Sequence, residues 1–163
     1  MAVDLRAPSL GDVEQVRKWR EHILPALRTP FPLTREQQED FYHDVVCDRQ
    51  ATSRWWSVYR DGRLIGLVGL VGIQWENGLA EVSLTLAPTA WCYGGDVVEA
   101  LLEEGLGNLG LETIWGECYL CAPTLGFWER MVDRFGGYKT MLPRRKRWQG
   151  QLHDSMWFGF WRD

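Results

Sequence analysis

No hydrophobic run in this chain approaches the roughly 18 consecutive apolar residues that a bilayer-spanning helix needs; glycine, proline or charge interrupts every apolar stretch first. The opening residues MAVDLRAPSL carry neither the basic nor the apolar segment of a secretory signal, so a cytoplasmic location and reduced cysteines are expected. Basic charge is not in excess. The formal net charge of −4 argues against a general nucleic-acid binder or a membrane-surface protein. Histidine is scarce, and His22, His43 and His153 stand isolated, so none is assigned a role. Cys118 and Cys121 form a single CxxC with no second pair to complete a zinc site. A three-residue offset along a strand also sends two side chains to opposite faces. No metal site and no redox chemistry are therefore expected. Repeats, low-complexity tracts and linkers are missing as well, and residues 1–163 read as one domain.

Tryptophan, in contrast, is abundant. Ten indoles occur, several in strand-like runs (Trp55, Trp56, Trp75, Trp157, Trp161), which predicts a large aromatic core. The alternative is that a few of them line a pocket. Asp4-Leu5-Arg6 opens a short strand, and Ser9 or Asp12 starts a helix with Val13, Val16 and Trp19 on its buried face. Pro25, Pro30 and Pro32 make the next stretch a loop. Thr34 and Gln37 then have the spacing of a capping box. RWWSVYR is a strand, Asp61-Gly62 a hairpin turn, and LIGLVGLVGIQW a strand whose glycines predict a bulge or a close backbone approach. LAEVSLTLAP returns antiparallel, with Glu81, Ser83 and Thr85 on one face and Val82, Leu84 and Leu86 on the other.

From Glu81 to Leu111 the pattern is strand, glycine turn, amphipathic helix. Backbone N–H groups at such a helix start converge on one point, the general means of holding a phosphate or pyrophosphate. Gly94 and Gly95 permit the close approach, whereas Asp96 is a carboxylate suited to cap the helix and compete with an anion. Downstream, LETIWGECYL is a short buried strand. Pro123 suits the first turn of a helix with Leu125, Trp128, Val132 and Phe135 on its apolar face, and Gly136-Gly137 stops it. YKTML and SMWFGFW close the chain as a strand pair around a basic loop, Arg144-Arg145-Lys146-Arg147.

The series LRAPSLGDVEQVRKWRE, DGRLIGLVGL, LAEVSLTLAP, the glycine turn with its helix, LGLETIWGECY and FWERMVDRFGGY resembles the GNAT N-acyltransferase superfamily. The likeness is nearest to its branch of ribosomal-protein N-terminal and spermidine acetyltransferase type, and it covers nearly the whole chain. It implies an α+β (α/β) fold with a single mixed, mostly antiparallel central sheet of about six to seven strands, flanked by about four helices. It also implies acyl transfer from acetyl-CoA or another acyl-CoA to a primary amine of a small molecule or a protein, by a monomer or homodimer. The resemblance places the pyrophosphate at Trp91, Cys92, Tyr93, Gly94, Gly95 and Asp96, where the family reads Gln/Arg-x-x-Gly-x-Gly/Ala. It lays the pantetheine arm along Leu84, Thr85 and Leu86, where the strand should splay from its neighbour.

An amine must shed a proton before it attacks a thioester, so a carboxylate is wanted nearby. The resemblance assigns that base to Glu81, with Ser83 on the same face to hold a water or the acceptor. Where family members often carry a tyrosine acid this chain has Trp128, whose indole donates a hydrogen bond but is no usable acid; Cys121 replaces a frequent asparagine. Tyr119 or Tyr138 is the substitute acid, and a thiol of pKa about 8.5 leaves without much help in any case. Two other readings stay open. In one the fold binds partners without catalysis, as Trp91, Asp96 and Trp128 suggest. In the other it modifies a nucleic-acid base, with Arg144, Arg145, Lys146 and Arg147 on phosphate.

Overall fold

The computed structural model describes residues 2–49 and 52–163. In chain order these form β1 (Asp4–Arg6), α1 (Leu10–Arg20) with a 3-10 extension over Glu21–Ala26, and α2 (Arg35–Phe41), which continues as a π turn over Tyr42–Val46. Then come β2 (Arg54–Arg60), β3 (Arg63–Gln74), β4 (Leu79–Leu86), a 3-10 turn at Trp91–Tyr93, and α3 (Gly94–Leu102), prolonged by a π segment over Glu103–Asn108. β5 (Thr113–Tyr119), α4 (Leu125–Phe135), β6 (Tyr138–Trp148) and β7 (Gln151–Trp161) complete the chain. The strands make one seven-stranded sheet, ordered β1-β2-β3-β4-β5-β7-β6. Every pairing is antiparallel except β4 with β5. No helix among the described residues is long and apolar enough to cross a membrane.

Local chemistry explains most of the boundaries. The Ser9 side chain caps α1 by accepting from the Asp12 N–H, and the Asp12 carboxylate returns the bond to the Ser9 N–H, both at 3.1 Å. Thr34 and Gln37 cap α2 in the same reciprocal way. Asp61 and Gly62 both take positive φ, 49° and 73°, the twist of a two-residue hairpin turn. The glycine-rich β3 bulges between Val71 and Gln74 around Gly72, at φ 56°. Gly136, left-handed at φ 64°, ends α4.

Two apolar clusters lie side by side on one face of the sheet. Val58, Val68, Leu70, Leu86, Ile114, Val97 and Leu101 bury α3 against β2–β5. Phe127, Trp128, Met131 and Val132 bury α4 against Met156, Phe158 and Phe160 of β7. The buried face of α4 thus turns on Phe127 and Met131, which the predicted face omitted, and Pro123 lies just before the cap residue Thr124. α1 lies across the opposite face, where Asp12 accepts hydrogen bonds from Ser57 Oγ at 2.8 Å and Tyr59 Oη at 2.7 Å on β2.

Two expectations need correcting. The tryptophans are not mainly core: Trp128 alone is buried, while Trp75 and Trp161 are about half exposed. An indole is large and keeps its N–H toward water, so it covers strand edges as readily as it fills interiors. The run Arg144–Arg147 is not a loop. It lies within β6, where a bulge between Leu142 and Lys146 absorbs the irregularity and Arg144 takes φ 58°. The hairpin turn falls later, at Gln149 and Gly150.

Candidate active site

β4 and β5 pair in parallel at three positions, Leu79↔Thr113, Ala80↔Ile114 and Glu81↔Trp115, and then separate. The predicted splay therefore begins at Val82, ahead of Leu84. From Val82 to Leu86 the edge of β4 that faces β5 has no partner on that strand. A cavity of about 240 Å³ opens in the split and reaches both faces of the sheet. Its apolar half is walled by Trp91, Trp128, Phe158, Val82 and Leu84, and its polar half by Arg28, Glu81, Ser83, Glu117 and Tyr119. Strand alternation produces this division. Glu81 and Ser83 point away from α3, and the paired register carries Glu117 and Tyr119 to the same side.

The charges in the polar half are closely matched. Arg28, on the loop after the 3-10 segment, holds both carboxylate oxygens of Glu81, Nη1 to Oε2 at 3.0 Å and Nη2 to Oε1 at 2.5 Å. Its Nη2 is also 3.9 Å from Glu117. Glu117, whose side chain is 4% exposed, accepts from Arg145 at 2.7 and 3.3 Å and from Ser155 Oγ at 2.7 Å. The Arg145 hydrogen bond, then Ser155 and the charges of Arg145 and Arg28, hold Glu117 below the usual carboxylate value despite its burial. Burial works against the charge of Arg28, but its bonds to Glu81 and Tyr119 outweigh that and raise its pKa. Lys146 is buried; its ammonium donates to the Leu27 carbonyl and lies 4.6 Å from the centre of the Tyr119 ring. Burial lowers its pKa.

The cavity thus brings together Glu81, Ser83, Tyr119, Leu84, Trp91 and Trp128 of the predicted residues. Thr85 lies on the opposite face of β4 from Leu84, and Leu86 is buried in the core. Cys92 is exposed, and Tyr93 lies under the Arg60 guanidinium, 3.8 Å from its ring centre. Gly94 and Gly95 are tight against α4: a Cβ on Gly94 would strike the Phe127 ring, and one on Gly95 the Arg134 guanidinium. The expectation that Asp96 caps α3 is corrected. Tyr93 is the cap residue and makes no side-chain cap bond, while Asp96 sits 3.8 Å from Arg134, which also approaches Glu99 at 3.6 Å. Tyr138 is remote from the cavity, stacked on Trp161. The first-turn N–H groups of α3 are thereby left without a side-chain acceptor, and the unpaired edge of β4 is suited to an amide-bearing arm; both fit an acyl-CoA.

Arg28 and Glu117 were missed by sequence reasoning. A signal existed for Glu117: it is the lone charge in TIWGECY, in step with Trp115 and Tyr119. None existed for Arg28, in a proline-rich loop. Of the run read as solvated or phosphate-binding, Lys146 is buried against Leu27, and the half-exposed Arg145 reaches Glu117. Cys118 is buried and pushed up to about 11 by that burial, so it stays a thiol, and Cys121 is free. No cluster of three or more metal-ligating side chains occurs among the described residues.

The family model for the acetyltransferase (GNAT) domain matches residues 3–120. No curated protein matches the chain. Among solved structures, the chain is similar to a chimera of the spermidine N-acetyltransferase SpeG from Vibrio cholerae and hSSAT, at 18% identity and TM-score 0.85, covering 99% of this chain and 96% of that one. It is also similar to the spermidine N-acetyltransferase from Vibrio cholerae in complex with CoA and spermine, at 19% identity and TM-score 0.84, covering 98% and 95%. At these identities the likeness is one of fold.

Proposed function

The chain belongs to the acetyltransferase (GNAT) domain family, whose enzymes transfer an acyl group to an amine, and from that premise we propose that its acceptor is a small primary amine received in the polar half of the β4–β5 cavity. The observation that carries this reading is the cavity itself: one opening through the sheet, apolar on the α3–α4 side and lined on the other by Glu81 and Glu117 with their paired arginines. That a similar structure was solved with CoA and spermine supports a small-molecule acceptor.

In this reading the free edge of β4 from Val82 to Leu86 and the first turn of α3 hold acetyl-CoA, with Trp91 and Trp128 against its thioester end. The bound acetyl-CoA supplies an acyl thioester as electrophile. Glu81 takes the proton of the incoming ammonium, which requires Arg28 to release at least one carboxylate oxygen. Ser83 orients the amine or a water beside Glu81. Tyr119, beside Arg28 and Lys146, is the hydroxyl available to return a proton to the leaving sulfur.

Glu81→Gln tests the assignment. We expect kcat to fall by about 10²-fold or more, in keeping with loss of a general base, with acetyl-CoA still raising the melting temperature. An unchanged kcat removes Glu81 as the base. No stabilisation of the native protein by millimolar acetyl-CoA overturns the placement of the donor.

A further inference from the structure

Both oxygens of Glu81 are engaged in the resting protein by one guanidinium, so an acceptor amine that takes this carboxylate competes with Arg28. A displaced guanidinium keeps its charge; solvent can take it, but a planar anion beside the incoming amine would hold it through two bonds. Glu117, 3.9 Å from Arg28, serves only in part, because Arg145 holds it through two nitrogens and Ser155 through a third bond. The Glu81 and Glu117 carboxylates are already matched by two guanidiniums, Arg28 and Arg145. A polycationic amine would add positive charge to that balanced set without offering the released Arg28 an anion. Arg28 has room to swing aside, its side chain being 55% exposed on a loop tethered through the Leu27 carbonyl.

We propose that the acceptor carries its own carboxylate close to the amine, the amine taking Glu81 and the carboxylate taking the fork of Arg28. This rests on the acyl-transfer reading of the cavity and makes Arg28 the residue that selects the acceptor. The amine nitrogen, having given its proton to Glu81, forms a bond to the acyl carbon as the carbon–sulfur bond breaks. CoA leaves as thiolate and takes up the second proton, which the nitrogen sheds as it becomes an amide. The carboxylate–guanidinium pair stays intact throughout and so contributes to binding and not to the chemical step.

The test is a comparison of acceptors with acetyl-CoA, read as thiol release. Glycine, β-alanine and 4-aminobutanoate are each set against their amides, against spermidine, and against peptides beginning with aspartate. A charge-assisted bidentate pair corresponds to about ten-fold or more, so the free amino carboxylates should exceed their amides by that factor in kcat/KM, through KM. Arg28→Gln should bring the ratio close to one by raising KM for the carboxylates, and Arg28→Lys should restore part of it. Preference for the aspartyl peptides over the free compounds would keep the chemistry and assign it to a protein N-terminus. Spermidine as best acceptor, amides equal to carboxylates, or an Arg28→Gln enzyme with lower KM for every amine would each overturn the proposal, while leaving the acyl-transfer reading intact. Absence of both acetyl transfer and stabilisation by acetyl-CoA would bring down the reading beneath it.

Discussion

Removing Glu117 should cost the fold more than a residue bordering a cavity normally does. Its carboxylate is withdrawn from water and is the acceptor for Ser155, a fully buried hydroxyl. Glu117→Ala orphans that hydroxyl at about 1–3 kcal/mol. Deleting one partner of a buried pair costs about 3–5 kcal/mol when the other charge stays buried. Arg145 is 48% exposed and can return to solvent, which takes away most of that second contribution. We expect a net loss of about 2–4 kcal/mol, out of a total of about 5–15 kcal/mol for a domain of this kind. Glu117→Gln leaves an acceptor for Ser155 and should lose about half as much. Urea unfolding at neutral pH, followed by tryptophan fluorescence, gives both values. Because the native carboxyl is held below its ordinary value, its contribution is complete above the unfolded pKa, near 4.5, and is lost as pH falls through the native one. The gap between wild type and Glu117→Gln should therefore close on acidification below that value. Equal costs for Ala and Gln, or a gap indifferent to pH, would refute the reasoning.

Asp12→Ala removes the return arm of the α1 cap and the acceptor shared by Ser57 and Tyr59; a loss of about 2–3 kcal/mol is expected by thermal melting. Burial raises the Asp12 pKa, but the bonds from Tyr59, Ser57 and Ser9 lower it further, so this stabilisation too should fade only as pH drops below the ordinary 3.8. The two turn glycines should differ. Gly94→Ala drives a methyl into Phe127, whose ring is wedged between Trp91 and Trp128 at 5.2 and 5.0 Å, and should lose about 1–3 kcal/mol. Gly95→Ala meets only the end of Arg134, which can swing away, and should be within about 0.5 kcal/mol of neutral; similar urea midpoints for the two variants would contradict this.

What could be read from the sequence was what neighbouring residues decide among themselves. The helix start at Ser9, one of the two positions expected, the cap at Thr34, the turn at Asp61-Gly62 and the alternation of β4 depend on spacings of three residues or fewer, and each is found. The order of elements agreed too, since it follows from where periodicity changes. The site residues supplied from afar were illegible. Arg28 reaches Glu81 across 53 positions, and Lys146 reaches Leu27 across 119. Arg144–Arg147 has the composition of a loop, and only pairing with β7 makes it strand. Trp128 was legible as a missing tyrosine, but its stacking on Phe158 at 4.6 Å depends on β7 and could not be anticipated.

The three-residue register between β4 and β5 has a mechanical consequence. Every other junction between neighbouring longer strands is stitched over seven or more positions, so the sheet is in effect two panels riveted along a short seam. Each panel has its own apolar cluster, and Val82, Leu84, Trp91 and Leu102 touch both. A molecule lying in the split adds a splint beyond the last rivet. Filling the cleft should therefore brace the seam that the sheet itself stitches most lightly.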